Sequence, residues 1–432
     1  MKIASITAGA GRMYCGSCLR DNALAKSLMD AGHDVLLIPT YTPTRTDEEN
    51  VSGERLFLGG INIYLQQHFK LFRKTPQIID RLLDFKPLLK VVTRMGISVD
   101  PSDLGSLTVA MLEGENGPLR KEIHRLARYI SEEIKPEIVT IPNSLLIALA
   151  PAIKELIDIP VVCTFQGEDL FLEGLMDPYH DEALKIIRNN AGYIDTFIAV
   201  SHFGARKMAK ALNIELDRIH VVPLGINFQG YDGLIRNKMN PFTIGYLARI
   251  APEKGLHVLC EAYRQLQSQG SLPSNFLWAA GYHPPEHKSY YADIQKNISD
   301  WGLSKQFHYY GELNRREKVA FLKSVSVFSV PTPYEDPKGI FLLEAMAAGV
   351  PVVQPRRGAF TEIIETTGGG ILVETNDPDA LSRGILDVYE HPGRRHELAE
   401  SAYHGVRKHY NISQMAQKTV EVFQTVLDGK GS

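Results

Sequence analysis

Short apolar, β-branched runs alternate with stretches of helical periodicity along almost the whole sequence, and this constrains the fold more than any other feature. Residues 3–7 read as a strand. Leu19, Ala23, Leu24, Ser27 and Leu28 then recur at helical spacing, Gly32 follows as a helix stop, and residues 35–39 form the next strand. Further strands are expected at 137–141, 160–165, 196–200 and 218–222. Strands that are apolar throughout and separated by helices make a parallel sheet covered on both faces. The pattern pauses over the polar residues 225–240 and restarts at 242–247, 275–280, 326–330, 351–354 and 371–373. The expected fold class is therefore α/β, with two doubly wound parallel-sheet domains joined near residue 235. We expect a domain over 1–232 with a helical insertion at about 66–130, a second over 233–408, and a closing segment, 409–432, with a helix at about 412–427.

The chain has 432 residues and a formal charge of −3. A chain of this length buries roughly three quarters of its unfolded surface, so the core needs no staple. Near-neutral charge removes nucleic acid as an expected partner, since that interaction calls for a basic surface. Four cysteines are too few for a disulfide framework. No apolar run reaches the ~18–20 residues of a membrane span, and residues 1–7 are too short an apolar start for a signal peptide. A cytoplasmic protein is the expectation. Residues 68–94 carry seven basic side chains (Lys70, Arg73, Lys74, Arg81, Lys86, Lys90 and Arg94) against Asp80 and Asp84. They read either as a helical excursion with a solvated face or as an element meeting anionic groups of an acceptor or a membrane surface.

Two stretches carry chemistry. In Gly245-Tyr246-Leu247-Ala248-Arg249-Ile250-Ala251-Pro252-Glu253-Lys254-Gly255, a strand ends near Leu247 and Pro252 suits the first turn of the next helix. Arg249 then lies just past a strand's carboxyl end and Lys254 in the first helical turn, at the rim where open parallel sheets bind ligands. A guanidinium fork and a compact ammonium near a helix N-terminus suit a diphosphate. In the second stretch, Tyr334 to Pro351, a loop bearing Glu335 and Asp336 leads through Gly339 into a helix that stops at Gly349. The N–H groups of Gly339, Ile340 and Phe341 add to an anion site. Glu344 lies inside an otherwise apolar helix, where a buried carboxylate needs a partner: sugar hydroxyls or nearby backbone donors.

Together these residues resemble the retaining glycosyltransferases of family 4, the group 1 type, which have the two-domain GT-B fold with Rossmann-like halves facing across a cleft. That family's Gly-x-x-x-Arg-x-x-x-x-Lys-Gly segment is matched by Gly245, Arg249, Lys254 and Gly255. Its Glu-x7-Glu pair falls on Asp336 and Glu344, and Ala345-Met346-Ala347-Ala348-Gly349-Val350-Pro351-Val352 follows. Gly16 stands at its loop glycine, and Gly32-His33-Asp34-Val35 fits the segment after the first helix. The resemblance covers nearly the whole chain except about 42–130. It implies transfer of a sugar from a nucleotide-diphosphate-sugar donor to a sugar, lipid-linked or small-molecule hydroxyl acceptor, with no cofactor and no metal. Residue by residue, it implies that Arg249 and Lys254 grip the diphosphate, Glu344 holds the ribose and Asp336 sits by the donor sugar. Gly16 lets the N-terminal loop approach the phosphate, and the last helix crosses back to the first domain.

Three departures stand out. Asp336 is one methylene shorter than the family's Glu, and Glu335 next door is an alternative. Lys338 replaces an aromatic residue. Gln166, in Thr164-Phe165-Gln166-Gly167-Glu168-Asp169, replaces a His that contacts the donor sugar; Glu168 and Asp169 share its vicinity. An amide carries no proton near neutral pH, so a mechanism without a base there is expected, in which the leaving diphosphate accepts the acceptor's proton. The alternatives are a phosphorylase, sugar synthase or epimerase on the same fold, or a non-catalytic nucleotide-sugar-binding protein. Cys15-Gly16-Ser17-Cys18 reads as a loop lining the donor cleft, a redox pair or a metal ligand pair. No His or Asp spacing marks a metal site.

Overall fold

The computed structural model describes residues 1–9, 13–58, 101–233, 241–270, 272 and 275–430. The basic segment 68–94, most of the insertion expected at 66–130 and the junction near 235 lie outside the described residues. The chain divides into two compact units, Met1–Pro223 with Ala416–Ser432, and Leu224–Met415.

The first unit runs β1 (Lys2–Thr7), α1 (Gly16–Asp30), β2 (Asp34–Pro39), α2 (Pro101–Leu112), α3 (Arg120–Arg128), β3 (Ile138–Ile141), α4 (Leu149–Leu156), β4 (Val161–Phe165), α5 (Asp169–Glu173), α6 (Tyr179–Asn190), β5 (Thr196–Ala199), α7 (His202–Leu212) and β6 (Ile219–Val221). Its strands are parallel in the order β2-β1-β3-β4-β5-β6. The inner strands β4 and β5 are buried at every position, while β2 and β6 at the edges are partly open. This is the burial that two helical layers impose on a parallel sheet. Val139, Ile141, Val161, Phe197, Ile123, Leu126 and Ile153 pack in its core, each such side chain contributing roughly 1.5–3 kcal/mol relative to exposure.

The second unit runs β7 (Phe242–Leu247), α8 (Leu256–Ser268), β8 (Asn275–Ala280), α9 (Lys288–Asp300), β9 (Phe307–Tyr309), α10 (Arg315–Ser324), β10 (Val327–Phe328), α11 (Ile340–Ala347), β11 (Val352–Pro355), α12 (Gly358–Thr367), β12 (Gly370–Val373), α13 (Pro378–Glu390) and α14 (Pro392–His409). The parallel order is β12-β11-β10-β7-β8-β9. The final helix, α15 (Ile412–Lys430), starts among residues of the second unit, and from Ala416 onward it is grouped with the first.

Two differences from the sequence reading have physical causes. β9 goes unmarked in the sequence because it is a short edge strand, partly exposed and lacking an apolar run. Residues 326–330 form a ladder only over Val327–Phe328. The chain on either side is still tied to β7, by the N–H of Ser326 donating to Thr243 O (2.7 Å) and that of Ser329 to Gly245 O (2.9 Å). Among the described residues no helix is long and apolar enough to cross a membrane.

Strand order also fixes where loops gather. In the first sheet β1 lies between β2 and β3, so helical connections diverge there and the carboxyl ends of β1, β3 and β4 stand side by side. In the second, β10 and β7 are neighbours at the equivalent switch point. Open α/β sheets bind ligands at such points.

Candidate active site

In the second unit the chain leaving β7 is pinned by the N–H of Ala248 on Ala280 O (3.1 Å) and that of Ile250 on Tyr282 O (2.8 Å). The sequence places Lys254 in the first turn of a helix. The structure instead forms a separate 3₁₀ turn, Pro252–Lys254, closed by Gly255 at φ +71°, and α8 begins after it. The break follows from a close approach: a Cβ on Gly255 would lie 2.1 Å from Pro331 O. With the two loops in contact, Lys254 Nζ sits 2.6 Å from Asp336 Oδ2, and 5.3 Å and 5.5 Å from the ring centroids of Tyr334 and Phe341.

Asp336 organises the opposite side. Its Oδ1 accepts from the N–H groups of Lys338 (2.9 Å) and Gly339 (3.2 Å), and Gly339 adopts φ +66° to start α11. The next N–H groups, those of Ile340 and Phe341, head the helix ahead of its own ladder. Burial pushes the Asp336 carboxyl up. The charge and hydrogen bond of Lys254, then Lys338, outweigh it and hold the carboxyl below its ordinary 3.8. With a depressed folded value, the pair's stabilisation is complete above the unfolded pKa of about 3.9 and is lost as pH falls through the folded value. In acid unfolding followed by circular dichroism, Asp336→Asn should be less stable than wild type near neutrality, and the gap should narrow below about pH 4. A gap that stays constant on acidification would contradict this pairing.

The remaining second-unit residues are placed less centrally. Arg249 is 36% exposed and pairs with Glu253 four residues on. Glu335 is exposed. Glu344 lies a turn along α11 and is paired with Lys318 of α10; both are nine-tenths buried. Lys254 and Asp336 are thus brought into direct contact, whereas Arg249 and Glu344 each have their own partner. The sequence gives no sign of Lys318, because in Arg315-Arg316-Glu317-Lys318 it looks like any charge on a solvated face.

In the first unit Gln166 follows β4. Its Nε2 donates to Asp21 Oδ1 (2.9 Å) and to Pro142 O (2.9 Å), which fixes the amide orientation and uses both its hydrogens. Its Oε1 is buried without a partner. Glu168 ties the loops after β3 and β4 together: Oε1 accepts from the N–H (2.9 Å) and hydroxyl (3.0 Å) of Ser144, and Oε2 from the N–H of Gln166 (2.8 Å). Burial pushes its carboxyl up against those bonds. Asp169 pairs with Lys207 of α7 at 2.8 Å. Gly16 opens α1. Asp21 and its partner Thr7 (Oγ1 donating to Oδ2, 3.0 Å) are site residues that sequence reasoning missed, since only the sheet brings β1, α1 and β4 together. Elsewhere in this unit Glu115, His124 and Glu155 offer ligand atoms within 4.8 Å of one another, a grouping hidden by their separation in sequence. Arg120 Nε lies 3.3 Å from His124 Nε2 and sets a positive charge against any cation there.

Comparison with known proteins decides the family. The sequence model described as "Glycosyl transferases group 1" matches residues 235–405, and that described as "Glycosyltransferase Family 4" matches 105–229. This chain belongs to glycosyltransferase family 4. Curated relatives include an MMP alpha-(1->4)-mannosyltransferase of Mycolicibacterium hassiacum, 26% identical over 55% of this chain and 56% of its own length. A phosphatidyl-myo-inositol mannosyltransferase of Mycobacterium tuberculosis is 26% identical over 62% of this chain and 68% of its own. The chain spans little more than half the length of several relatives it matches. Among solved structures, sucrose-phosphate synthase from Thermosynechococcus elongatus superposes with a TM-score of 0.72 at 16% identity, covering 99% of each chain. HepE of Anabaena, in complex with UDP and glucose, does so with 0.69 at 18% identity, covering 98% and 100%. This family 4 chain has the GT-B fold, with two Rossmann-like domains.

Proposed function

We propose that the chain is a retaining, metal-independent glycosyltransferase that moves a hexosyl group from a nucleotide-diphosphate sugar to a hydroxyl acceptor. The observation that carries this reading is the Lys254 ammonium, held 2.6 Å from Asp336 beside the N-terminus of α11 at the sheet's switch point. A diphosphate needs charge stabilisation as the sugar leaves, and preorganised donors supply it without reorganisation. Lys254 and the leading N–H groups of α11 face that charge, and Arg249, paired with Glu253 of the same loop, joins them when the donor arrives. With those charges in place no metal is required to stabilise the leaving group. Glu344, paired with Lys318, accepts from the ribose hydroxyls. Asp336, with its oxygens committed to Lys254 and the turn, positions the cation; its backbone and the exposed Glu335 lie nearest the donor sugar. Gln166 is not a base: an amide carries no proton near neutral pH, and both its hydrogens are spent on Asp21 and Pro142 O. The departing diphosphate takes the acceptor's proton on the same face of the sugar, which retains configuration. The relatives that transfer mannose and the solved structure holding UDP and glucose support a nucleotide-sugar donor.

A thermal-shift screen with UDP-, GDP- and ADP-sugars tests the reading, since ligand a hundredfold above its dissociation constant adds about 2.7 kcal/mol of stability. The cognate donor should raise the melting temperature of wild type, and Arg249→Ala should cut turnover by about 10²-fold. Gln166→Ala should lose less, and a chelator should leave the rate unchanged. Absence of any shift across the panel, or turnover in Arg249→Ala equal to wild type, would reject the assignment.

A further inference from the structure

The Cys15–Cys18 pair lies where β1 hands over to α1. Cys15 is the N-cap, with extended backbone (φ −98°, ψ 126°), and is half-buried; Cys18 is buried in the first turn. The two thiols are hydrogen-bonded to each other and no disulfide joins them. A helix start favours the thiolate of an N-terminal cysteine over the thiol. On the inner side, the hydroxyl of Thr7 touches the Cys18 thiol and donates to Asp21 Oδ2 at 3.0 Å. Asp21 is buried, and its other oxygen faces Arg20 Nη1 (3.2 Å) and Gln166 Nε2 (2.9 Å). Burial holds its carboxyl above 3.8 despite those partners. The Cys18 thiol is kept protonated by its bond to Cys15, by burial and by the charge of Asp21. The arrangement is therefore a half-buried thiol, a buried thiol three residues on, and a buried carboxylate reached from the second through one hydroxyl.

We propose that Cys15 and Cys18 form a reversible thiol–disulfide centre that exchanges with low-molecular-weight disulfides of the glutathione type. Cys15, as thiolate, attacks one sulfur of oxidised glutathione. A mixed disulfide forms, and one glutathione leaves as a thiol carrying the proton Cys15 gave up. Cys18 then passes its proton to the Thr7 oxygen while the Thr7 proton moves to Asp21. The Cys18 sulfur attacks Cys15 Sγ, and the second glutathione leaves as thiolate and takes up the proton from Asp21. Two protein thiols are oxidised and one external disulfide is reduced to two thiols. Cys163 and Cys260 are bystanders, 0% and 2% exposed. The readout of this exchange does not depend on sugar transfer.

The test equilibrates the full chain in glutathione buffers of graded redox poise, quenches with acid, blocks free thiols with a maleimide and reads intact and peptide masses. The expected result is a reversible loss of two of the four thiols, mapped to a Cys15–Cys18 cross-link. Cys18→Ser should accumulate the Cys15–glutathione adduct, and Cys15→Ser should stay unmodified. Asp21→Asn should slow closure of the mixed disulfide by about 10²-fold. Should that variant fail to fold, Thr7→Val breaks the same relay while leaving the carboxylate. Four thiols that persist across all buffers in natively folded protein would overturn the proposal. A wild-type glutathione adduct that never closes, or closure in Thr7→Val at the wild-type rate, would also do so.

Discussion

Replacing Lys254 by alanine is expected to lower turnover by about 10²–10³-fold, equivalent to ~3–4 kcal/mol of lost transition-state stabilisation. The size follows from its position. The ammonium is held by Asp336 and two aromatic faces, so its orientation is set before a donor arrives. Lys254→Arg should recover only part of the rate, since a planar fork does not replace a point charge between two rings. Because Lys254→Ala also strands a buried carboxylate, Lys254→Ala with Asp336→Asn separates the causes. The double variant should regain stability but not turnover. Near-wild-type kcat in Lys254→Ala, measured at saturating donor, would remove Lys254 from the chemistry.

The second large effect concerns stability. Lys318→Met is expected to destabilise the fold by about 3–5 kcal/mol, the cost of leaving a buried charge without its partner. Here the charge is Glu344, and both residues lie in the core of the second unit. Glu344→Gln alone should cost a similar amount, because it leaves the ammonium behind. Lys318→Met with Glu344→Gln should recover most of the loss, since two neutral side chains of similar volume need no pairing. Urea denaturation of the three variants measures the coupling. Strictly additive losses would mean that the two side chains do not act as a pair. Donor binding by the double variant is expected to weaken even where stability returns, because the ribose hydroxyls lose their carboxylate acceptor.

Much of this architecture is legible before any coordinates are seen. Strand positions such as 242–247 and 275–280 match because an inner parallel strand must be apolar on both faces, and that requirement is written in consecutive residues. The loop motifs are legible for a related reason. Gly255 and Gly339 occupy left-handed backbone that other residues adopt only with strain, so glycine marks the turns that present Lys254 and α11. The edge strand β9 left no such mark, since half-exposed aromatic residues satisfy no strict pattern.

The sequence alone therefore determined the two α/β units, the rim on which cations and acids gather, and the family. Those properties are carried by short-range periodicity and local turn chemistry. Only the tertiary structure decided which charge meets which. It set Lys254 against Asp336 across 82 residues, Lys318 against Glu344 across 26, and Gln166 against Asp21 across 145. A buried ion must find a partner wherever the strand order places one, and that order depends on the packing of whole sheets, which no local stretch of residues encodes.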